Sequence, residues 1–274
     1  MALGIQTPGN QPTSDQSTRR TLSVGARKPV KSSETRFVEA TSEKKDRLVV
    51  AIAGPEKYGK NHLAFTAEGP IYCQSIDPGA EDMKQKYIEG GPFWDGERKI
   101  YVSTYGIEIS QEDATDEDKM AAAADPVWNQ WTADYIYALD HARTIVWDTE
   151  SDAWELLRLA RFGVLNPKTG RDRGNAWGPV NAEYRRLLRL AYDKDVNFIL
   201  IQKVKDEYVN DKKSGRKERK GFADVGYIVQ VVATAQRDGA NFTLMITDCR
   251  QDPTLNGQVI PSNDFSMLKG IVLP

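Results

Sequence analysis

Apolar residues in this chain fall into short continuous runs, and longer stretches with helical spacing lie between them. Leu48-Val49-Val50-Ala51-Ile52-Ala53 is a continuous apolar run of strand length, the pattern of a parallel strand covered on both faces. Runs of the same kind are Ile71 to Ile76, Thr144 to Trp147, Asn197 to Ile201 and Tyr227 to Val232, and Phe242 to Thr247 adds another. Between them, Asp152 to Arg161 and Val180 to Asp193 repeat apolar positions helically, with Tyr184, Leu187, Leu188 and Ala191 on one face. Strands alternating with helices predict an α/β fold around a mostly parallel central sheet flanked by helices. Gln111 to Asp125 is acidic and then alanine-rich, which predicts an exposed loop leading into a helix. Residues 1 to 45 are rich in Ser, Thr, Pro, Gln, Arg and Lys, and their few apolar residues follow no period. That composition predicts a flexible N-terminal tail, leaving 46 to 274 as the folded core.

Composition adds boundaries to this picture. A length of 274 residues with 40% hydrophobic content supports one sizeable core. The formal charge of -2 is not that of a general nucleic-acid binder, so an anionic partner would need a local basic patch. Cys73 and Cys249 stand far apart and there are two histidines in all, which argues against a zinc cluster and for a reducing interior. No apolar stretch approaches the roughly 20 residues that cross a bilayer. A cytoplasmic protein is expected.

Directly after the first apolar run, Gly54-Pro55-Glu56-Lys57-Tyr58-Gly59-Lys60 satisfies G-x-x-x-x-G-K and leads into His62-Leu63-Ala64-Phe65, a helix-compatible segment. Strand, glycine-rich turn and helix are the context a phosphate loop needs. The glycines let the backbone curl so that successive N–H groups face phosphate oxygens. The helix N-terminus adds its positive end, and Lys60 neutralises the outer phosphates. Gly54 to Asn61, with His62, are the expected nucleotide contacts, and the expected ligands are ATP and Mg2+. The next position is Asn61, where this motif has a Ser or Thr hydroxyl for the ion. Its amide oxygen is a permissible ligand on a longer arm. Binding is therefore better founded than fast hydrolysis.

A second acid belongs at the tip of another strand, and Thr144-Ile145-Val146-Trp147 ends in Asp148. Asp148 is expected to help hold the ion, with capping of the following helix as the alternative reading. Asp77, Glu81 and Glu150 all lie near strand ends and are candidates to activate water. Gln202 ends the run from Asn197 and is a candidate to hydrogen-bond a terminal phosphate, with a solvent-facing side chain at the strand end as the alternative reading.

Together the phosphate loop, Ile76 to Glu81, Thr144 to Trp154, Trp177 to Leu190 and Phe198 to Tyr208 resemble phage-encoded RecA-like ATPases, P-loop NTPases associated with single-strand annealing and recombination. The resemblance covers about residues 45 to 250. It implies that Asp77 or Glu81, rather than Glu150, activates water, and that Gln202 couples nucleotide to DNA-binding loops. It also implies single-stranded DNA and further copies of the chain, in a homo-oligomeric ring or filament, as partners, with a single-strand-binding protein as a further candidate, in the cytoplasm of a bacterial host.

Lys203 to Lys220 carries eight basic and four acidic residues, a flexible loop suited to a phosphate backbone through Lys203, Lys205, Lys212, Lys213, Arg216 and Lys217. A second loop supplies Lys168, Arg171 and Arg173, and Trp177 and Tyr208 are candidates to stack on bases. Phe37-Val38-Glu39-Ala40 matches the Phe-x-x-Ala pattern by which related recombinases dock onto a neighbour. A nucleotide switch with little turnover, or a helicase-loading or packaging accessory, is the alternative function.

Overall fold

Each apolar run meets another run along a hydrogen-bonded ladder. In the computed structural model, which describes residues 45–77, 79–167 and 176–273, the elements begin with β1 (Val49–Ala53), α1 (Lys60–Phe65), β2 (Ile71–Ser75), α2 (Gly79–Lys84) and β3 (Ile100–Thr104). There follow α3 (Glu117–His141), β4 (Thr144–Asp148), α4 (Glu150–Phe162), α5 (Trp177–Lys194) and β5 (Asn197–Gln202). The chain continues through β6 (Val204–Val209), β7 (Lys212–Arg219), α6 (Val225–Ile228), β8 (Val231–Asp238), β9 (Asn241–Cys249), β10 (Val259–Ile260) and α7 (Phe265–Val272). The expected tail, the Phe37 to Ala40 pattern and Lys168, Arg171 and Arg173 lie outside the described residues.

The eight-stranded sheet has the order β10-β9-β8-β1-β5-β4-β2-β3. From β8 to β3 all neighbours are parallel, while β9 and β10 close one edge antiparallel. The mostly parallel sheet that the apolar runs predict is therefore present. Alternation sorts the core into two halves. Val49, Ala51, Ile145, Trp147, Phe198 and Leu200 face α3, α4 and α5, and Val50, Ile52, Val146, Ile199 and Ile201 face α1, α2 and α7. On the first face Trp147 meets Trp131, Tyr135 and Phe198 edge-on, the arrangement that aromatic quadrupoles favour.

Because the strands run parallel, the segments after β1, β2, β4 and β5 emerge along one edge, where open α/β sheets bind ligands. Strand β5 lies between β1 and β4, with Gln202 beside Ala53 and Ile201 beside Asp148.

Two expectations are corrected. Tyr227 to Val232 is not one strand: residues up to Ile228 are the short helix α6 and pairing with β1 begins where Gln230 N donates to Val49 O, 2.8 Å. An apolar run alone cannot separate a buried helical turn from a strand. The basic segment is not a flexible loop but a separate antiparallel hairpin, β6–β7. Asn210 and Asp211 form its two-residue turn with φ of 51° and 61°, the doubly left-handed turn whose twist suits a hairpin. Among the described residues no helix is long and apolar enough to cross a membrane.

Candidate nucleotide site

The phosphate loop leaves β1 fully buried at Gly54 and re-enters helix at Lys60. Gly59 precedes the helix with φ 80°, a left-handed conformation that glycine adopts without a Cβ penalty. Lys60 Nζ reaches back over the loop to donate to Gly54 O at 2.9 Å and Pro55 O at 2.6 Å. Burial lowers the pKa of this ammonium, against the charges of Asp148 and Glu56. Glu56 and Lys57 are exposed on the outside of the loop. The His62 side chain turns away to hydrogen-bond Tyr87 and lies edge-on to Phe93 at 5.1 Å. Its backbone N–H is the group it can offer a phosphate.

Asn61 Nδ2 donates to Asp148 Oδ2 at 2.7 Å, across from α1 to the tip of β4. Asp148 is 4% exposed. Burial, with the charge of Asp77 acting in the same direction, pushes its carboxyl up to about 6, although the Asn61 bond and Lys60 oppose the rise. Asp148 does not cap the helix that follows. That role belongs to Thr149, whose hydroxyl accepts from Asp152 N at 3.1 Å.

This glycine loop with its ammonium, facing the Asn61 amide on α1 and the buried Asp148 carboxylate at the tip of β4, coincides with a sequence match: residues 46–254 match an AAA domain. The chain belongs to the AAA domain family. Comparison with curated proteins returns no match. The family is one of nucleotide-binding ATPases that work with ATP and Mg2+, and the donor set fits both. Among the described residues no group of three or more His, Cys, Asp or Glu could hold an ion, so Mg2+ would need nucleotide phosphates beside Asp148 and the Asn61 oxygen.

The three candidate bases of this AAA domain have different surroundings. Asp77 is exposed, caps the start of α2 by accepting from Gly79 N at 2.9 Å, and its charge reaches Asp148. Ser75 Oγ stitches its segment to β4 by donating to Asp77 O at 2.5 Å and Asp148 O at 2.9 Å. Glu81 is paired with Lys84 at 2.9 Å, one turn along α2. It lines an open cavity of about 540 Å3 with Ile76, Thr104 and Tyr105. Glu150 is fully buried.

Sequence reasoning missed what surrounds Glu150. Its Oε2 accepts from Gln202 Nε2 at 2.8 Å, and its Oε1 accepts from Phe222 N and the Tyr184 hydroxyl, each at 3.1 Å. Burial lifts the carboxyl to about 7 while these donors and the Arg219 charge pull it down. Gln202 is held from its other end too, because Arg219 Nη1 donates to its Oε1 at 3.2 Å. A Cβ on Gly221 would stand 2.1 Å from Glu150 Oε2, so that residue must be glycine for the bridge to close. Gln202 therefore bonds to Glu150 and Arg219, and the hairpin that follows it returns to the same cluster.

The hairpin base is clipped to α4. Ser151 Oγ donates to Lys220 O at 2.5 Å and accepts from Lys203 N at 2.9 Å, and Lys203 and Lys220 pair with Asp152 and Glu155 at 2.7 Å each. Further out, Lys213 and Lys217 share Asp206, and Lys205 pairs with Glu218. Lys212 and Arg216 have no acidic partner among the described residues. Tyr208, opposite Lys213 in the ladder, is 59% exposed. Trp177, in contrast, packs on Phe162 at 4.8 Å and is a packing residue.

Proposed function

We propose that this AAA domain is an ATP-hydrolysing protein that binds single-stranded DNA along hairpin β6–β7 and serves recombination or annealing of phage type, acting as a homo-oligomer. The observation that carries the reading is the buried bridge from Gln202, beside the phosphate-loop strand, through Glu150 and Arg219 to the base of a cationic hairpin. The residues that flank the hairpin, Lys203 and Lys220, both hydrogen-bond to Ser151 in the first turn of α4, which supports a link between the strand tips and the hairpin. The phage and recombination assignment rests on the sequence resemblance.

In this reading the N–H groups of the loop and Lys60 bind the phosphates, and Asn61 and Asp148 orient the ion. Held there, Mg2+ would supply positive charge to the phosphoryl oxygens. Asp77 orients the attacking water, because it is accessible and adjoins Asp148, whereas Glu81 is turned to Lys84 and Glu150 is enclosed. Lys212, Arg216 and Tyr208 are the groups of the hairpin best placed to meet a phosphate backbone and an unstacked base.

The ion pairs within the hairpin favour a second reading, a nucleotide-dependent switch that acts on a protein partner. ATP turnover with and without single-stranded DNA, together with DNA affinity with and without a non-hydrolysable ATP analogue, separates the two. DNA-stimulated turnover and nucleotide-dependent DNA affinity are expected. Absence of DNA binding at low salt would sink the recombination reading in favour of the switch.

A further inference from the structure

The family match ends at residue 254, but the chain beyond it comes back to the phosphate loop. Between β10 and α7, Asn263 is 2% exposed, and its Nδ2 donates to Tyr58 O at 2.9 Å, across 205 residues of sequence. An ideal Cβ on Gly59 would stand 2.6 Å from the same Nδ2. The second glycine of the loop is thus pressed against this elbow as well as turned into the left-handed region. The neighbouring residues fasten the elbow in place. Asp264 caps α7 by accepting from Met267 N at 2.9 Å, and Phe265 N donates to the Thr66 hydroxyl at 3.0 Å. Lys269, 7% exposed, pairs with Glu68 at 2.7 Å and Asp46 at 2.8 Å.

In a trans peptide the carbonyl and the following N–H point in opposite directions. A bond that holds Tyr58 O outward onto Asn263 therefore turns Gly59 N–H inward, to the side where a phosphate loop presents its donors. We infer that Asn263 is a positioning residue of the nucleotide site, which sets the Tyr58–Gly59 peptide plane and so aims Gly59 N–H at a bound polyphosphate. The inference rests on the nucleotide-binding reading of the loop. Asn263 Oδ1 has no protein partner among the described residues, so the bond to Tyr58 is the one polar contact that explains a buried amide here. The elbow before α7 is accordingly part of the site, and it reads the shape of the loop rather than the nucleotide itself.

The test compares the full chain with Asn263→Ala, Asn263→Asp and a control, Leu268→Ala, which weakens the packing of α7 without touching the elbow. Affinity for ATP and for inorganic tripolyphosphate is measured by calorimetry, and thermal stability is measured on the same samples. Asn263→Ala should weaken both ligands about five- to tenfold, the worth of one ordinary hydrogen bond. Asn263→Asp keeps the shape but replaces the donor by a carboxylate facing a carbonyl, and should weaken both further. Leu268→Ala should lower the melting temperature and leave both affinities unchanged. Asn263→Asp binding tripolyphosphate as tightly as the parent would overturn the inference. So would Leu268→Ala losing affinity in step with Asn263→Ala at the same loss of stability. A parent that binds neither ligand, or a Lys60→Ala variant that binds both as well as the parent, would instead remove the nucleotide-site reading on which the inference depends.

Discussion

Replacing Glu150 by Gln removes the charge of the enclosed carboxyl while keeping its shape, and the structure sets the size of the effect. Burial raises this group from 4.5 to about 7, against the pull of Gln202, Phe222 N, Tyr184 and Arg219. A carboxyl whose folded pKa lies above its unfolded value costs stability when it ionises. The cost is fully present above about pH 7, is relieved as pH falls through the folded value, and is gone below the unfolded one. At roughly 1.4 kcal/mol per pKa unit, the full cost is about 3 kcal/mol. Glu150→Gln carries no such cost, so its unfolding free energy relative to the parent should rise by about 3 kcal/mol between about pH 4.5 and about pH 8. At the acid end both side chains are neutral, and the two proteins should differ by no more than about one hydrogen bond, ~1 kcal/mol. Urea unfolding followed by tryptophan fluorescence over that pH range measures the difference directly. Other titrating groups act in both proteins and cancel to first order. A difference that does not change with pH would show that Glu150 is not held in a dry site, and the bridge to Gln202 would have to be drawn otherwise.

Three further outcomes are expected. Lys60→Ala should abolish ATP binding or turnover, because the ammonium is the main point charge at the outer phosphates; unchanged affinity and rate by calorimetry and phosphate release would remove the phosphate-loop assignment. Since Asp148 ionises only at about 6, the Mg2+-dependent part of ATP affinity should fall as pH drops through that value, and Asp148→Asn should lose this pH dependence together with the Mg2+ effect. Neutralising Lys212, Lys213, Arg216 and Lys217 together should weaken single-stranded-DNA binding and flatten its slope against log salt by up to about three. ATP affinity without DNA should survive, and an unchanged slope would place the DNA elsewhere.

The fold was legible where burial is two-sided. β1, β4 and β5 are apolar on both faces and announce themselves as runs, and α4 and α5 carry clean helical stripes. β3 did not show because it is an edge strand with alternate residues exposed, so Ile100-Tyr101-Val102-Ser103-Thr104 lacks the run. The hairpin did not show because charged residues break up any apolar alternation in its strands; its one local signal was Asn210-Asp211, a turn pair that tolerates positive φ. At the site, the loop, Asp148 and Gln202 stand at strand ends, which sequence order alone can indicate. The enclosure of Glu150 could not be read that way, because it depends on Tyr184, on Gln202 and on the stretch from Arg219 to Phe222 converging from three separate segments. Gly221 was the nearest signal, a glycine just past a charged strand, and only the approach of Glu150 explains it. Asn263 was hidden for the same reason, being 205 residues from the carbonyl it holds.

Asn61 is the departure from the phosphate-loop pattern, and its contact with Asp148 suggests how the site accommodates it. A Ser or Thr hydroxyl at this position offers one oxygen that both donates a proton and accepts a cation. An amide divides these roles between two atoms. Nδ2 is committed to Asp148 at 2.7 Å, an assignment that chemistry enforces whenever the carboxylate is ionised and can only accept. The amide oxygen is then directed away from the carboxylate and remains available to a hard cation. Asn61→Thr shortens the arm, and a hydroxyl on it would have to satisfy Asp148 and the ion from one point. With Asp148 enclosed and its ionisation already opposed by burial, loss of the Asn61 donor would raise that opposition. Asn61→Thr should therefore weaken Mg2+-dependent ATP binding at neutral pH, and most below about pH 7. Tighter Mg2+-dependent binding or faster turnover in this variant would show that Asn61 is a compromise and that Asp148 does not depend on its amide.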